Sequence, residues 1–517
     1  MNYAEFMLEK NNYDPKRIIS VYKNESYSLD DYRKKVSEII SFFEENDFEK
    51  DRCAVMISDD SPSCVSLFLA CIKYGIIPVL ITPFTLDGVL EKGLNASDAT
   101  YLFISEESGS LNEPENSYRP AFRDKVITVT FSNLPKKDAV HFNILNKGLE
   151  IPTRYVDSKE TAYFLMTSGS SGIPKIVMHA HPAFPDTNRN YAVDTLGINE
   201  NDSIYSIAKM YFGYGLANNM FYPMLNGCSA YLYDGIFSPE NLFESLEKFR
   251  PTVFFGIPSG YRMILDYLKE NPEKKTLLDC VRIYISSGEP LSADLNRKWK
   301  AAVGKYIGNN MGSSEASAIF FEPGHDETLG SAGKPVKGTK VRLEGPDGKD
   351  SDIGILYFTS GGNFIGYHNN PEANALAVRD GWFRTGDIFR RDENGCYWGL
   401  GREDNMLKYH GMWVSPAEIE KIILSFGGIK QALVYKMTIN EHEILAASIA
   451  KENVSAGMPS EENQRFAAEL KDYLKSKTEL YKCPEIIDIL DAFPLNNNGK
   501  TDMPALKARI KKIAESK

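Results

Sequence analysis

The sequence predicts a mixed fold, with a large N-terminal α/β body of helix-covered sheets and a small C-terminal α+β lobe. Three observations support this prediction. β-rich runs alternate with helical segments from the first strand onward, which is typical of sheets covered by helices. From about Gly338 short strands and turn signals prevail, which indicates a β-rich part of the large body. After about Arg402 a compact stretch of strands and helices follows.

The first eighty residues show the alternation most clearly. Ser28 is suited to cap a helix N-terminus, and Asp30 and Asp31 favour the first turn of that helix. We expect the helix to run to about Glu45. The other elements of this region are two strands, a helix and a third strand, expected at 18–22, 53–58, 61–74 and 78–82.

The pattern of strands returns later in the chain. Strands are expected from Val177 onward and at 252–257 and 281–286. The C-terminal lobe is predicted to contain two helices and two strands, at 416–425, 461–477, 431–436 and 444–449.

Length, composition and charge exclude several classes of protein. The chain has 517 residues, 43% of them hydrophobic and 25% charged, which is ordinary for a globular protein. Its formal net charge of −11 and the lack of a basic block argue against nucleic-acid or anionic-membrane partners. Seven scattered cysteines without CxxC, and a charged N-terminus without an apolar core, predict a cytoplasmic protein without disulfides.

The most informative stretch runs from Thr167 to Lys175, with the sequence TSGSSGIPK. It follows one apolar strand and precedes another. Such a loop offers backbone N–H groups and hydroxyl donors to phosphate oxygens, and its lysine adds positive charge. It is not a Walker A loop, because Gly172 is not followed by Lys-Ser or Lys-Thr.

This loop resembles the signature of the adenylate-forming superfamily, which includes acyl- and aryl-CoA ligases, peptide-synthetase adenylation domains and firefly luciferase. Four further segments resemble that family's motifs in the same order, from about residue 10 to 510. They are MGSSE at 311–315, WFRTGD at 382–387, GRED at 401–404 and PLNNNGK at 494–500.

Within the superfamily the sequence is most similar to benzoate- and 4-hydroxybenzoate-CoA ligases. The segments YFGYGLAN at 211–218, PTVFFGIP at 251–258 and GMWVSP at 411–416 resemble theirs. Glycine leaves room for a flat ring, and aromatic faces stack on it. The resemblance implies that the acid contacts a set of small, aromatic and apolar residues, namely Phe212, Gly213, Tyr214, Ser287, Gly312, Ala318 and Ile319.

The resemblance also implies a two-step reaction. A carboxylate attacks the α-phosphorus of ATP and releases pyrophosphate, after which a thiol displaces AMP. Lys500 is expected to bridge the carboxylate and the phosphate, Glu315 to hold Mg²⁺, and Arg402 to reach the ribose or the phosphates. The implied nucleotide site contains Thr167, Ser168, Gly169, Ser170, Gly172, Lys175, Ser287, Gly288, Glu289, Pro290, Asn309, Met311, Gly312, Ser314, Asp387 and Arg402. Met311 stands where the family has an aromatic residue, and Ser314 where it has threonine.

In this family the small lobe moves between the two steps. Asp404 is the implied hinge, which divides the chain into domains 1–403 and 404–517. The strand from Lys408 to Gly411 is expected to line the thiol tunnel.

Two alternatives remain open. The enzyme could load the phosphopantetheine of an acyl carrier protein instead of CoA, or the chain could be a non-catalytic regulator that binds nucleotide and aryl acid. The sequence has no HExxH motif, so nothing in it supports a metal hydrolase. His179 and His181 are expected to be packing or strand-end residues. A homodimer is common among relatives. The small Ala318 favours a substituted ring, 4-hydroxybenzoate, over benzoate.

Overall fold

A computed structural model describes most of the chain, as two compact units. The described residues are 2–10, 12–83, 87–105, 126–131, 142–144, 161–167, 175–316, 318–360, 364–409, 412–439, 442–451, 461–494 and 502–515. The first unit comprises 1–341, 358–383 and 395–397, and the second comprises 342–357, 384–394 and 398–517. Residues 342–357 and 384–394 of the β-rich part thus group with the C-terminal residues, while the hinge at Asp404 stays a prediction.

The first unit contains a nine-stranded sheet whose centre is parallel. Its strand order is Lys334–Pro335, Phe320–Glu322, Ile307–Met311, Ile283–Ser286, Val253–Gly256, Ser203–Ser206, Ser229–Tyr231, Ile18–Tyr22 and Glu25–Ser28. The neighbouring strands Ile283–Ser286 and Ile307–Met311 run in parallel, with Ser286 opposite Asn309. Their carboxyl ends therefore lie side by side, which is where open α/β sheets bind ligands.

An eight-stranded sheet forms the other large layer of the first unit. Its strand order is Gly366–Tyr367, Lys175–Ala180, Thr161–Thr167, Ile77–Ile81, Cys53–Ile57, Ala99–Ser105, Ile127–Phe131 and Phe142–Ile144. The central strands are parallel and fully buried, as expected where helices cover both faces.

Helices join and cover these strands. In the first unit the helical segments are Tyr3–Glu5, Phe6–Lys10, Leu29–Glu45, Pro62–Tyr74, Asp87–Ala96, Ala183–Thr187, Asn188–Val193, Gly213–Leu216, Ala217–Phe221, Tyr222–Asn226, Pro239–Phe249, Pro258–Glu270, Pro272–Cys280, Ala293–Val303 and Pro371–Ala377. Ser28 and Asp31 form a reciprocal capping box at one helix start, and Ser61 caps the next helix. The core beneath the helices centres on Trp299, Tyr261 and Tyr284.

A five-stranded sheet has the order Lys340–Glu344, Ile353–Thr359, Trp382–Arg391 and Val378–Arg379, with Tyr397–Arg402 paired to Trp382–Arg391. The C-terminal part of the second unit adds two small sheets. One pairs Leu407–Tyr409 with Met412–Val414, and the other has the order Ile429–Ile439, His442–Lys451 and Ile486–Leu490. Its helical segments are Glu403–Asn405, Pro416–Leu424, Glu461–Lys477, Leu480–Lys482 and Met503–Glu515.

The predicted fold class is confirmed, and most element boundaries agree within two residues. The helices expected after Ser28 and Ser61 are present, as are the strands expected at 18–22 and 53–58. The two strands of the C-terminal lobe are longer than predicted, because their hairpin continues to Ile439 and His442. Within the described ranges, the chain contains no helix with the length and apolar character needed to cross a bilayer.

Candidate active site

A cavity of about 450 Å³ opens in the first unit beside the two large sheets. Six of its described lining residues are aromatic: Tyr163, Tyr211, Phe212, Tyr214, Phe221 and Tyr222. The other lining residues are small, apolar or hydroxyl-bearing apart from one acid: Leu165, Met166, Thr187, Ala208, Gly213, Ala217, Ile257, Ser287, Gly288, Glu289, Gly312, Ser313 and Ser314. Among the described lining residues, none carries a positive charge.

Tyr214 illustrates how the aromatic wall is held. Its ring meets that of Phe255 edge to face, with centroids 5.8 Å apart, and its hydroxyl donates to the Ile285 carbonyl at 3.4 Å. Burial raises the pKa of Tyr214 well above its usual value, and burial also raises the pKa of Tyr222. Both phenols therefore stay neutral at physiological pH and remain hydrogen-bond donors.

Five of the seven residues predicted to contact the acid line this cavity: Phe212, Gly213, Tyr214, Ser287 and Gly312. Ala318 and Ile319 are buried but are not among the described lining residues. The Ile319 backbone lies between two other segments, because its N–H donates to the Met311 carbonyl and its carbonyl accepts from the Val336 N–H.

Glu315, the predicted magnesium ligand, is held by its own turn and by Tyr367. The hydroxyl of Ser313 accepts the N–H of Glu315 at 3.2 Å, which closes a local turn. The Tyr367 hydroxyl donates to Glu315 Oε1 at 2.7 Å, and Lys175 Nζ lies 5.1 Å from the centre of the Tyr367 ring. Glu315 and Lys175 thus contact the same tyrosine, Tyr367, which was not predicted as a site residue.

His179 is a second contact of this loop. It is buried, its ring stacks on Tyr163 at 4.7 Å, and its Nε2 lies 2.8 Å from the Ser314 carbonyl oxygen. The packing role expected for His179 therefore includes holding the segment next to Glu315. Neither His179 nor Tyr367 belongs to a motif, so the sequence carried no signal for these contacts.

The predicted phosphate loop joins two antiparallel strands. Thr167 ends one strand and Lys175 begins the other, and these two residues pair with each other across the hairpin. Ser168, Gly169, Ser170 and Gly172 lie outside the described residues. The pairing brings the two described ends of the loop together at the edge of the cavity that Leu165 and Met166 line.

The residues predicted to lie near adenine follow the two neighbouring strand ends. Ser287 is buried, whereas Gly288, Glu289 and Pro290 are exposed. Asn309 Nδ2 donates to the Ser331 carbonyl at 2.8 Å, an orientation that presents the amide oxygen as an acceptor. Met311 ends its strand, and Gly312 and Ser314 line the cavity just beyond it.

In the second unit, Asp387 and Arg402 form an ion pair. Arg402 Nη1 lies 3.1 Å from Asp387 Oδ1 and donates to the Thr385 carbonyl at 2.8 Å. The Thr385 hydroxyl accepts the Asp387 N–H and donates to the Leu356 carbonyl, both at 3.0 Å. Gly386 has φ +72°, which glycine adopts without strain. The Thr-Gly-Asp sequence therefore has two structural reasons. The Thr385 hydroxyl bridges two backbone groups, and Gly386 adopts the left-handed conformation that the backbone requires there.

The remaining predicted residues also fall in the second unit. Asp404 lies exposed in the turn Glu403–Asn405, and Lys408 is exposed with its Nζ 5.1 Å from the Trp413 ring. Lys500 and Gly411 lie outside the described residues.

Glu315 suits a magnesium ion that also binds phosphate oxygens, because Mg²⁺ commonly takes only one or two carboxylates. No cluster of three or more metal-ligating side chains occurs in the part of the chain that the structure describes. A site formed by Glu315 and nucleotide oxygens agrees with this arrangement, whereas the described residues offer no preformed protein cage.

Comparison with known proteins identifies the family. Residues 8–368 match the model of the AMP-binding enzyme family, and residues 418–500 match the AMP-binding enzyme C-terminal domain. The chain is 32% identical to the anthranilate–CoA ligase of Pseudomonas aeruginosa over 89% of this chain and 87% of the relative. It is 31% identical to the benzoate–CoA ligase of Thauera aromatica over 87% and 84% of the two chains.

Solved structures share the fold. A benzoate CoA ligase from Burkholderia xenovorans LB400 superposes with a TM-score of 0.71 at 24% identity, covering 98% of this chain and 99% of that one. An anthranilate CoA ligase in complex with anthranoyl-AMP gives 0.72 at 25% identity, covering 99% and 98%. The chain belongs to the AMP-binding enzyme family and is an AMP-forming acid–CoA ligase of the adenylate-forming superfamily.

Proposed function

We propose that the protein activates an aryl carboxylic acid of the benzoate or 4-hydroxybenzoate type with ATP and transfers it to CoA. The observation that carries this proposal is the cavity wall, to which six aromatic side chains contribute. Aromatic side chains favour a flat ring through stacked and edge-to-face contacts, each worth about 0.5–1.5 kcal/mol beyond the buried area. A flexible alkyl chain gains less from such walls.

The relatives support the same class of acid. Besides the two ligases named above, a 4-hydroxybenzoate/benzoate–CoA ligase of Rhodopseudomonas palustris is 29% identical over 94% of this chain and 89% of the relative. The names of these proteins differ only in the ring substituent, so relatedness favours an aryl acid without choosing the substituent.

Polar groups on the wall favour a hydroxylated ring. Three of the lining residues, Tyr214, Tyr222 and Thr187, bear hydroxyls, and the two phenols stay neutral. A buried hydroxyl on the substrate needs a partner, since an unpaired one costs about 1–3 kcal/mol. We therefore favour 4-hydroxybenzoate over benzoate.

The carboxylate of the acid requires a cation that the described cavity lining does not supply. We assign that role to Lys500, which would stabilise the charge that develops as the carboxylate oxygen attacks the α-phosphorus and pyrophosphate leaves. Lys175 and the loop from Thr167 would hold the phosphates through N–H, hydroxyl and ammonium donors. Mg²⁺ bound at Glu315 would neutralise phosphate charge, and Tyr367 would keep that carboxylate oriented.

The second unit would hold the ribose and support the thiol step. Asp387 can accept hydrogen bonds from both ribose hydroxyls, and Arg402 steadies it. In the second step the thiol sulfur of CoA loses its proton to solvent and attacks the acyl carbon, and AMP leaves with the electrons of the broken acyl–oxygen bond. A hinge at Asp404 would expose the strand from Lys408 to Gly411 to the thiol.

Pyrophosphate exchange tests this proposal directly. We expect exchange with benzoate, 4-hydroxybenzoate and anthranilate and little with hexanoate, with CoA ester formation from the same acids. Preference for hexanoate would refute the aryl assignment. Efficient transfer to a carrier protein but not to CoA would select that alternative thiol, and a complete absence of acid-dependent exchange would indicate a non-catalytic binding protein.

A further inference from the structure

Asp60 is a buried carboxylate that the proposed reaction does not use. It lies between the strand Cys53–Ile57 and the helix Pro62–Tyr74, and it is only 2% exposed. Burying a carboxylate is unfavourable unless hydrogen bonds compensate it. Here Oδ1 accepts the backbone N–H of Met210 at 2.9 Å, and Oδ2 accepts from Asn219 Nδ2 at 2.8 Å.

Both partners restrain the same stretch of backbone, Ala208 to Met210. Asn219 Nδ2 also donates to the Ala208 carbonyl at 3.2 Å, which accepts from Ser206 Oγ at 3.0 Å as well. On the facing helix, a Cβ atom at Gly215 would lie 2.1 Å from the Lys209 carbonyl oxygen. The helix therefore packs directly onto the backbone of residues 208–210. Asp60, which lies in a different part of the fold, bonds both to this backbone and to Asn219 in the turn that continues the helix.

This restrained stretch continues into the aromatic wall of the cavity. Ala208 lines the cavity, and the next residues of the wall follow at Tyr211 and Phe212. Asn219 belongs to the π-helical turn Ala217–Phe221, whose first and last residues also line the cavity. Asp60 itself is not among the lining residues. It thus bonds to two of the segments that line the cavity from a position behind them.

The two partners of Asp60 are both donors, which explains why a carboxylate and not an amide stands there. An amide at this position would direct an NH₂ group at the NH₂ group of Asn219. Asn219 could relieve this by turning its oxygen toward residue 60, but its nitrogen would then lose the Ala208 carbonyl. The positive charge that accompanies Asp60 is Lys209, which lies over the Tyr233 ring at 4.5 Å.

We propose that Asp60 is a positioning residue that sets the shape of the acid-binding cavity and so determines which ring substituents the enzyme accepts. This proposal rests on the assignment of the cavity to the acid. Asp60 ties the stretch 208–210 to the turn at Asn219, and the spacing between these two segments defines the slot in which the ring lies.

The test is Asp60→Asn in the full-length enzyme, with Asp59→Asn as the matched control. Asp59 is the adjacent carboxylate and also interacts with Lys209, but the Met210 N–H and the Asn219 amide are directed at Asp60. In Asp60→Asn we expect KM for aryl acids to rise about ten-fold, because a small misplacement of the wall segments weakens their fit to the ring. KM for ATP should stay within two-fold, and the kcat/KM ratio of benzoate to 4-hydroxybenzoate should change at least three-fold.

Asn219→Ser provides a second variant that breaks the same link from the other side, and it should shift the same constants in the same direction. The proposal is overturned if the acid constants of Asp60→Asn match those of Asp59→Asn, or if KM for ATP rises in parallel with KM for the acid. If the wild-type enzyme proves to use alkyl acids, the proposed function fails separately. In that case KM for an acid that the wild-type enzyme does use, and KM for ATP, are compared between Asp60→Asn and Asp59→Asn. This comparison then decides the role of Asp60.

Discussion

The hydroxyl of Tyr367 donates a hydrogen bond of 2.7 Å to Oε1 of Glu315. These residues lie 52 positions apart in the chain, and the same tyrosine ring faces the ammonium group of Lys175 at 5.1 Å. The tyrosine therefore connects the proposed metal ligand with the proposed phosphate-binding lysine. Its hydroxyl fixes one carboxylate oxygen and orients the other.

Replacing Tyr367 by Phe should weaken magnesium binding without abolishing the reaction. A hydrogen bond to a charged group contributes about 1.5–3 kcal/mol, and part of it is lost if the carboxylate finds water instead. We expect the Mg²⁺ concentration for half-maximal pyrophosphate exchange to rise about five- to ten-fold. Equilibrium binding of MgATP should weaken in parallel.

Tyr27→Phe is the control for this prediction, because Tyr27 also donates to a glutamate, Glu25, at 3.2 Å. That pair lies at the edge strand Glu25–Ser28, and its described hydrogen bonds and ring contacts involve no proposed site residue. An unchanged magnesium requirement in Tyr367→Phe would show that Glu315 does not need this bond.

Gly386→Ala should weaken nucleotide binding by more than its backbone strain alone would. Gly386 has φ +72°, where an L-residue is strained by about 1–2 kcal/mol, and a Cβ there would lie 3.1 Å from Arg402 Nη2. The Arg402 guanidinium would have to shift by a few tenths of an ångström, which disturbs its pairing with Asp387. We expect KM for ATP to rise several-fold, measured by exchange at saturating acid.

Gly395→Ala is the matched comparison. Gly395 has φ +74° in an exposed turn, and a Cβ there would meet nothing within 4 Å. It reproduces the backbone strain without the close contact to Arg402. Equal KM values for ATP in the two variants would show that this contact does not affect nucleotide binding.

Asp404→Pro tests the proposed hinge. Proline fixes φ and disfavours helical backbone in the preceding residue, so the turn Glu403–Asn405 would lose its freedom to change. Adenylation should survive and thioester formation should fall, as measured by exchange and by CoA ester formation in the same preparation. Asp404→Ala removes the carboxylate but keeps the freedom, and it should retain both steps. Full rates of both steps in Asp404→Pro would refute the hinge.

Stability should depend on pH through Asp60. Burial raises the pKa of Asp60 to about 6 from the ordinary value of 3.8, and Asp234 acts in the same direction. The charge of Lys209 and the hydrogen bonds from Met210 and Asn219 oppose this rise. Between these values the folded protein keeps a proton that the unfolded chain releases. The stabilisation that comes from protonated Asp60 is therefore complete below about pH 4, and it is lost as the pH rises through 6.

Comparison with Asp60→Asn isolates this effect, because the amide does not titrate. The free energy of unfolding of the wild type, minus that of the variant, should fall by roughly 2–4 kcal/mol between pH 4 and pH 7. Denaturation in urea at several pH values measures it. A difference that stays constant across this range would show that Asp60 titrates normally.

The capping box at Ser28 should matter for stability alone. Its hydroxyl accepts the Asp31 N–H at 3.2 Å, while Asp31 Oδ2 accepts the Ser28 N–H at 2.8 Å. Ser28→Ala should lower the free energy of unfolding by about 1 kcal/mol with unchanged kinetic constants. Ser37→Ala, on the exposed face of the same helix, should be nearly neutral, and equal losses in both would contradict the capping role.

The sequence predicted the elements whose signals are local. Ser28 and Ser61 mark helix starts because their hydroxyls bond to backbone N–H groups only three residues away. The motif at Thr385 was recognised by its resemblance to a family motif, and the structure adds the hydrogen bonds of the Thr385 hydroxyl to Asp387 and Leu356. Where one residue and its immediate neighbours decide the structure, spacing alone is informative.

Contacts between distant segments could not be predicted in this way. The bonds of Tyr367 to Glu315, His179 to Ser314 and Asp60 to Met210 span 52, 135 and 150 residues. The π-helical turn Ala217–Phe221 also lacks a sequence signature, because all five of its residues are buried and no amphipathic period marks it. The position of Ile319 depended on which strand its backbone joined, and that is decided by the assembled sheet.

The close approach at Gly215 limits how new substrate preferences can be engineered or evolve. Because a methyl group there would lie 2.1 Å from the Lys209 carbonyl, the two backbones have no room for a larger residue between them. Libraries should therefore keep Gly215 unchanged and vary the side chains that reach the cavity, such as Phe212, Ala217 and Phe221. Changes in accepted substrates should then arise from side-chain size on a fixed backbone. Because these side chains line one cavity, their substitutions should combine non-additively and need to be varied together.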